Sequence, residues 1–358
     1  MSSLDSRSDS AHGVGETLVT VSDLSVRFAR AATADAVRGV SLNVQAGRIA
    51  GVAGESGSGK TATALAMMGL LPRGTVVGGS VRYRDRELLG LREKEMRTVR
   101  GRRIAMVFQE TVTALNPVLR IEEQLAMAVR AHSKGSRGEL QKTIRRSLED
   151  VQLADADRVL SSYPHELSGG MCQRVMIAMA LACGSEVLIA DEPTTALDVS
   201  VQHDVLVVLR EVVAARHLGV LFISHDLAVI NELCDDLYVF YRGEVVEHGP
   251  AQQVIERPAH PYTAALLACL PRLHGEHIRM PDLSSADLLS EQGSGCRFAA
   301  RCEFARAQCQ THPDLLELDA GSGGRLVRCW RAGEVLSRAG EPQQASTQSV
   351  GTTPGGEA

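Results

Sequence analysis

The sequence has no apolar run near the ~20 residues that a bilayer-spanning helix needs. Its first residues, MSSLDSRSDSAHG, are polar and hold no signal-peptide core. Those absences predict a cytosolic chain, so any work at a membrane is expected to pass through a partner. Positive charge is also short: 38 Lys and Arg stand against 43 Asp and Glu, for a net charge of -5. Such a balance supplies no global attraction for nucleic acid or for an anionic bilayer surface. There is a single tryptophan, Trp330. What remains is ordinary globular protein, with an apolar fraction of 44% and a mean hydropathy of -0.03. Its 358 residues suit one large domain with appendages, or two domains.

What is present begins with Gly54-Glu55-Ser56-Gly57-Ser58-Gly59-Lys60-Thr61, a G-x-x-x-x-G-K-[ST] phosphate loop. It follows the apolar run Ile49 to Ala53 and precedes Ala62 to Met68, so its setting is strand, loop, helix. Glycines let backbone N–H groups turn inward around phosphate oxygens, and the next helix aims its positive end at the same charge. Lys60 is placed to reach the β- and γ-phosphates, and Thr61 to offer its hydroxyl to Mg2+. Further on, Val187-Leu188-Ile189-Ala190 has the composition of a buried parallel strand. Asp191 closes it at the edge where phosphate and metal bind in an open α/β sheet, which makes Asp191 a second Mg2+ anchor. Glu192, one residue on, is the candidate general base for an attacking water.

Around these motifs the pattern alternates between strand and helix. Residues 1 to about 16 read as disordered. Leu18 to Phe28 and Val37 to Val44 read as antiparallel strands with one wet face, and Phe28 is the aromatic there that suits a purine ring or, equally, a core. Nine Lys and Arg fall between Arg82 and Arg103 beside Asp85, Glu87, Glu93 and Glu95, a mixed-sign pattern that predicts a solvated helix face and not a nucleic-acid site. Ile104 to Phe108 is a strand ended by Gln109. Helical periodicity runs from Ile121 to Ala131 and from Leu140 to Val151, and Ser168 caps the apolar helix that leads to Cys183. A helix from about Val201 to Ala215, the strand Val220 to Ile223 with Ser224-His225-Asp226 at its end, a hairpin through Arg242-Gly243 and a helix from Thr263 to Leu270 follow.

The set GESGSGKT, Gln109, LSGGMCQ, VLIADEP, Ala196-Leu197-Asp198 and Ser224-His225-Asp226, in that order, resembles the ATP-binding subunit of an ABC transporter over roughly residues 18 to 335. TALNPVLRIEEQL, YPHELSGGM, ADEPTTALDVSVQ, HPYTAALLACLP and GCRFAARC are similar to the peptide-importer branch, in its dipeptide/oligopeptide subunit of the D type. The resemblance implies an α/β fold with a P-loop ATPase core of mixed sheet with helices on both faces. An antiparallel β subdomain and a helical subdomain at about 110–184 belong to that core, which spans 17–271. A small loop-rich, cysteine-containing region at 272–335 and a disordered tail at 336–358 complete the expectation.

The same resemblance implies roles. Gly54, Glu55, Ser56, Gly57, Ser58, Gly59, Lys60 and Thr61 hold ATP and Mg2+, and Phe28 lies against the base. Gln109 touches metal and the attacking water, Asp191 holds Mg2+ through its shell, Glu192 polarises the water, and His225 contacts the γ-phosphate and fixes Glu192. Leu167, Ser168, Gly169, Gly170, Met171 and Gln173 form a signature that completes the ATP site of an opposite protomer, with Asp198 at that interface. The implied partners are two transmembrane permease subunits, a second ATPase subunit and an extracytoplasmic peptide-binding protein, at the cytoplasmic face of the membrane. An importer for another solute such as nickel is the nearest alternative. A soluble ABC ATPase is disfavoured, because the long coiled coil of repair ATPases and the fused cores of translation factors are both missing.

Four of the eight cysteines, Cys296, Cys302, Cys309 and Cys329, crowd into a C-x5-C-x6-C-x19-C spacing without a C-x2-C pair. Four thiolates suffice for one Zn2+ or one [4Fe–4S] cluster; the resemblance favours the iron–sulfur cluster, with zinc or nothing as alternatives. Arg297, Arg301 and Arg328 are expected to offset the cluster's negative charge. Cys172 departs from the Arg or Lys common in the signature; neutral variation is the favoured reading, and a thiol pKa lowered by its place near a helix N-terminus is the alternative.

Overall fold

Strands with no polar residue sit where both faces are covered. The structure, a computed structural model, describes residues 15–29, 35–108, 114–195, 197–269, 295–318 and 324–339. Twelve strands lie among them: β1 Thr17–Arg27, β2 Val37–Gln45, β3 Ile49–Ala53, β4 Val76–Tyr83, β5 Arg86–Glu87, β6 Ile104–Val107, β7 Val187–Asp191, β8 Gly219–Ile223, β9 Asp236–Tyr241, β10 Glu244–Pro250, β11 Leu316–Glu317 and β12 Leu326–Val327. β2-β1-β4-β5 form an antiparallel sheet, and the larger sheet runs β11-β12-β10-β9-β3-β8-β7-β6. Its centre, β9 to β6, is parallel. Every residue of β3, β7 and β8 is buried.

Period-two alternation explains that burial. Val220 and Phe222 of β8 join one core while Leu221 and Ile223 join the other, and Leu188 and Ala190 of β7 are divided from Val187 and Ile189 in the same way. One core is shared with the antiparallel sheet and helix α1 (Lys60–Met67). The other is shared with α3 (Ile121–His132), α4 (Arg137–Asp150), α6 (Gly169–Leu181), α7 (Val199–Arg216) and α8 (Leu227–Leu233). Each fully buried Val, Leu or Ile contributes about 1.5–3 kcal/mol over exposure, so the two cores fix the parallel strands from both sides.

The short α2 (Glu93–Met96) and α5 (Ala156–Ser161), then α9 (Ala251–Glu256), α10 (Pro261–Ala268) and α11 (Ala332–Ala339), complete the helices described. The α/β architecture expected from the sequence is present. The solvated helix expected over 82–103 is not. Arg84, Gly90 and Gly101 hold positive φ there, and Leu88, Met96 and Val99 are pulled into the core, so turns, the end of β4 and the short β5 replace all but one helical turn. The tail expected to be disordered from 336 begins instead within α11; the boundary expected near 272 lies outside the described residues, as do residues 1–14. Among the described residues no helix is long and apolar enough to cross a membrane.

The last strands join the main sheet. Glu247 pairs with Val327 and His248 with Leu326. A buried ion pair pins the junction: Arg325 Nη2 donates to Glu247 at 2.6 Å, and the same carboxylate accepts the Ala259 and His260 amides at 2.8 and 3.0 Å. That knot sets the start of α10.

Candidate active site

Strand order decides what meets at the carboxyl edge of the parallel sheet. β8 lies between β3 and β7, so the loop 54–61 after β3, Ser224-His225 after β8 and Asp191-Glu192 at the end of β7 share one edge. Two glycines of the loop are sterically required. Gly54 has φ 149 and a Cβ there would lie 2.2 Å from the Phe240 carbonyl oxygen, while Gly59 has φ 106 and a Cβ would lie 2.6 Å from that of Ala36. Gly57 also holds positive φ. Ser56 is exposed and Ser58 buried, the Ser58 amide donating to the Glu55 carbonyl at 3.2 Å. Helix α1 starts at Gly59 with no side-chain cap, which leaves its first N–H groups for an anion.

Lys60 is folded back onto this loop. Its Nζ donates to the carbonyls of Gly54 at 2.8 Å and Glu55 at 3.0 Å. Burial pushes its pKa down, opposed by the carboxylates of Glu192, Asp191 and Glu55. Asp191 is only 4% exposed, and burial pushes its pKa up although the Thr61 side chain hydrogen-bonds to it. A buried carboxylate held against a hydroxyl is an all-oxygen donor set, which suits Mg2+. Gln109, the other expected metal contact, lies outside the described residues.

Glu192 is fixed at three points. Its amide donates to the Ile223 carbonyl at 2.9 Å, its carboxylate accepts the Thr195 hydroxyl at 3.1 Å, and His225 Nδ1 lies 3.2 Å from the same oxygen. The residue sits in the left-handed region at φ 48, a conformation tolerated where surrounding contacts over-determine it. His225 is exposed, with 57% of its side chain open to solvent.

The signature stretch is elsewhere, at the start of α6. Ser168 is the N-cap, accepting the Met171 amide at 3.3 Å. Ser168 and Gly169 are exposed, Leu167 and Met171 half-buried, and Gly170 and Gln173 buried. A Cβ on Gly170 would lie 2.4 Å from Val201 Cγ1, so this helix start packs against the start of α7. There Asp198 caps the helix, accepting the Val201 amide at 3.0 Å and the Ser200 hydroxyl at 2.8 Å, and those bonds hold its pKa down. Phe28 is half-buried at the end of β1, packed on the core shared with α1.

At Cys172 the alternative of a lowered thiol pKa is not met. Its thiol is 5% exposed and contacts the Pro164 carbonyl at 3.3 Å, and burial pushes its pKa up instead of down. Desolvation is the cause.

The four clustered cysteines are all free and feel one another: burial foremost, then the neighbouring thiols, push Cys302 up to about 11 and Cys329 up to about 12. Backbone N–H groups face the sulfurs, with Arg331 N donating to Cys329 Sγ at 3.3 Å and those of Phe298 and Phe304 acting on Cys296 and Cys302. The amide of Cys296 donates to the Cys309 carbonyl at 2.9 Å. Among the described residues no group of three or more His, Cys, Asp or Glu has the spacing to hold a metal ion. The arginines expected to balance a cluster point elsewhere, because nearer acceptors compete for them: Arg297 to Glu244 at 2.6 Å, Arg328 to the Val245 and Pro313 carbonyls, each at 3.1 Å, and Arg301 to Glu55.

Two residues next to the phosphate loop carried no sequence signal that tied them to it. Tyr262 Oη accepts the Glu55 amide at 2.9 Å across 207 residues, and Arg301 grips the Glu55 carboxylate across 246 residues. A tyrosine in the opening turn of a helix was the only hint available.

Comparison with known proteins follows this geometry. A family model described as ABC transporter matches residues 37–195, and one described as Oligopeptide/dipeptide transporter, C-terminal region, matches residues 246–309. The chain is 43% identical over 328 residues to a probable peptide ABC transporter ATP-binding protein, y4tR, of Sinorhizobium fredii, covering 90% of this chain and 97% of the relative. It is 45% identical over 298 residues to the probable D,D-dipeptide transport ATP-binding protein DdpD of Escherichia coli, covering 82% and 90%. To the oligopeptide transport ATP-binding protein OppD of Salmonella typhimurium it is 40% identical over 336 residues, covering 93% and 99%. Among solved structures, the dimeric ATP-binding cassette MJ0796 in a post-hydrolysis state with ADP and Pi superposes with a TM-score of 0.57 at 26% identity, covering 65% of this chain and 99% of that one.

Proposed function

The chain belongs to the ATP-binding subunits of ABC transporters, in the oligopeptide/dipeptide branch, and we propose that it hydrolyses ATP as one of two paired cassettes that power peptide import across the cytoplasmic membrane. The observation that carries this is the alignment of Lys60, Asp191, Glu192 and His225 along one sheet edge, with the signature at a separate, exposed helix start.

On this reading the loop 54–61 holds the triphosphate, and Lys60 exchanges its carbonyl partners for phosphate oxygens. Mg2+, held by Thr61 and Asp191 with Gln109, would neutralise phosphate charge. Glu192 takes the proton of the attacking water, and His225 keeps the carboxylate aimed while its exposed face meets the γ-phosphate. Little covalent chemistry is required of the protein, since positioning and charge stabilisation supply most of the acceleration. Ser168 and Gly169 serve the site of the partner cassette, and Asp198 lies at that interface. Phe28 lies beside the base. Two permease subunits dock on the helical subdomain, about 110–184, and an extracytoplasmic binding protein delivers cargo; nickel or another solute is the second reading. The cassette spans 17–271 and the cysteine region 272–335.

Cys296, Cys302, Cys309 and Cys329 would be the ligands of a [4Fe–4S] cluster on this reading, with zinc or nothing as the alternatives: the N–H groups facing their sulfurs are what thiolate ligands accept, although the four do not already stand at the spacing of a metal site. Bound there, a cluster would supply a structural cross-link. Iron analysis of anaerobically purified protein tests it: colourless, iron-free protein refutes it, and brown colour lost in the four-Cys-to-Ser variant supports it.

The test of the main proposal is ATP hydrolysis against protein concentration, with membrane proteins that co-purify identified. Activity per chain should rise as chains pair. Full activity from a strictly monomeric preparation would refute the shared-site arrangement.

A further inference from the structure

The phosphate loop is braced from outside by a part of the chain with no established role in nucleotide binding. Arg301 lies between Cys296 and Cys302, on a short 3-10 turn at Ala299–Arg301. Its two terminal nitrogens meet both oxygens of the Glu55 carboxylate, Nη2 to Oε1 at 3.0 Å and Nη1 to Oε2 at 3.2 Å. The guanidinium also stands over the rings of Tyr241 and Phe298, at 5.9 and 5.7 Å from their centroids, and only 11% of the side chain is exposed. Tyr262, packed on the same two rings at 4.5 and 5.6 Å, takes the Glu55 amide. Both the charge and the backbone of the loop's second residue are therefore held from the C-terminal side.

We propose that Arg301 is a positioning residue of the ATP site: it neutralises Glu55, fixes the start of the phosphate loop, and so makes nucleotide affinity depend on the cysteine region that carries it. This rests on the ATPase reading above. A carboxylate inside a phosphate-binding loop repels the ligand unless it is paired, and a bidentate guanidinium pairs it with fixed geometry. Without Arg301 the loop keeps its glycines and Lys60, yet presents an uncompensated negative charge to a triphosphate.

The test is binding of a fluorescent ATP analogue to the full-length chain. R301A should bind about tenfold more weakly, the scale of one lost charged contact, and R301K should fall between it and wild type. The double variant R301A/E55Q should recover most of the loss, since a neutral amide sets no negative charge against the triphosphate. Recovery also shows that the fold survives removal of the arginine. Affinity unchanged in R301A, or equally weak in the single and double variants, overturns the proposal while leaving the ATPase reading intact. Failure of the wild-type chain to bind nucleotide overturns both.

Discussion

With Glu192 as the proposed general base, replacing it with Gln is expected to separate binding from chemistry at this site. The amide has nearly the carboxylate's shape, so the Thr195 hydroxyl at 3.1 Å and His225 at 3.2 Å both keep a partner. The left-handed backbone at φ 48 costs Gln no more than Glu, so folding stability should move by less than about 1 kcal/mol. What disappears is a proton acceptor and one negative charge. Loss of a positioned general base costs about 10²–10⁴ in rate, or about 3–5 kcal/mol of barrier. The lost charge acts the other way on binding. Glu192 is the first of the carboxylates that raise the Lys60 pKa, so it is felt where the triphosphate sits, and removing it lowers repulsion. E192Q is therefore expected to retain ATP longer than wild type while releasing phosphate at least a hundredfold more slowly. Single-turnover phosphate release and nucleotide retention on a desalting column measure the two quantities. Hydrolysis within threefold of wild type would remove Glu192 from the role of base.

Three further outcomes are expected. His248 is half-buried and His260 buried, and desolvation holds their pKa values down to about 4 and about 3. Their neutral forms stabilise the fold fully above the unfolded value near 6.5, and that stability is lost as pH falls toward the folded values, at about 2 kcal/mol from His248 between pH 7 and 5. H248F, which keeps the stack on the Tyr238 ring at 4.0 Å, should flatten the pH dependence of the denaturation midpoint; an unchanged slope would exclude His248 as its source. R325A leaves the fully buried Glu247 carboxylate without its cation and should cost about 3–5 kcal/mol in urea unfolding, a cost that below 1 kcal/mol would contradict the buried pair. Iodoacetamide should leave Cys172 unmodified in folded protein and label it after denaturation, as mass spectrometry of tryptic peptides would report; rapid labelling of the native chain would contradict its burial.

The parallel strands and the loop 54–61 were legible because local signals and global burial agree there. A strand covered on both faces has to be apolar up to its functional end, and a loop pinched against Phe240 and Ala36 has to be glycine. The 82–103 stretch was misread because its charge pattern concealed Leu88, Met96 and Val99, whose burial is decided by tertiary packing. At Cys172 a helix terminus is visible in sequence, whereas the burial that raises the thiol pKa is not. Contacts such as Arg301 with Glu55 join residues 246 apart, and no periodicity reports a pairing at that range.

The junction of β12 with β10 bears on how this protein can be divided. A fragment ended at the close of α10 would contain the whole phosphate loop, yet it would uncover a row of backbone donors and acceptors along β10 and leave Glu247 facing no guanidinium. Bare strand margins of that kind recruit other chains. Shortened forms should therefore clump in solution, and soluble expression of the nucleotide-handling half should demand that the distal hairpin travel with it.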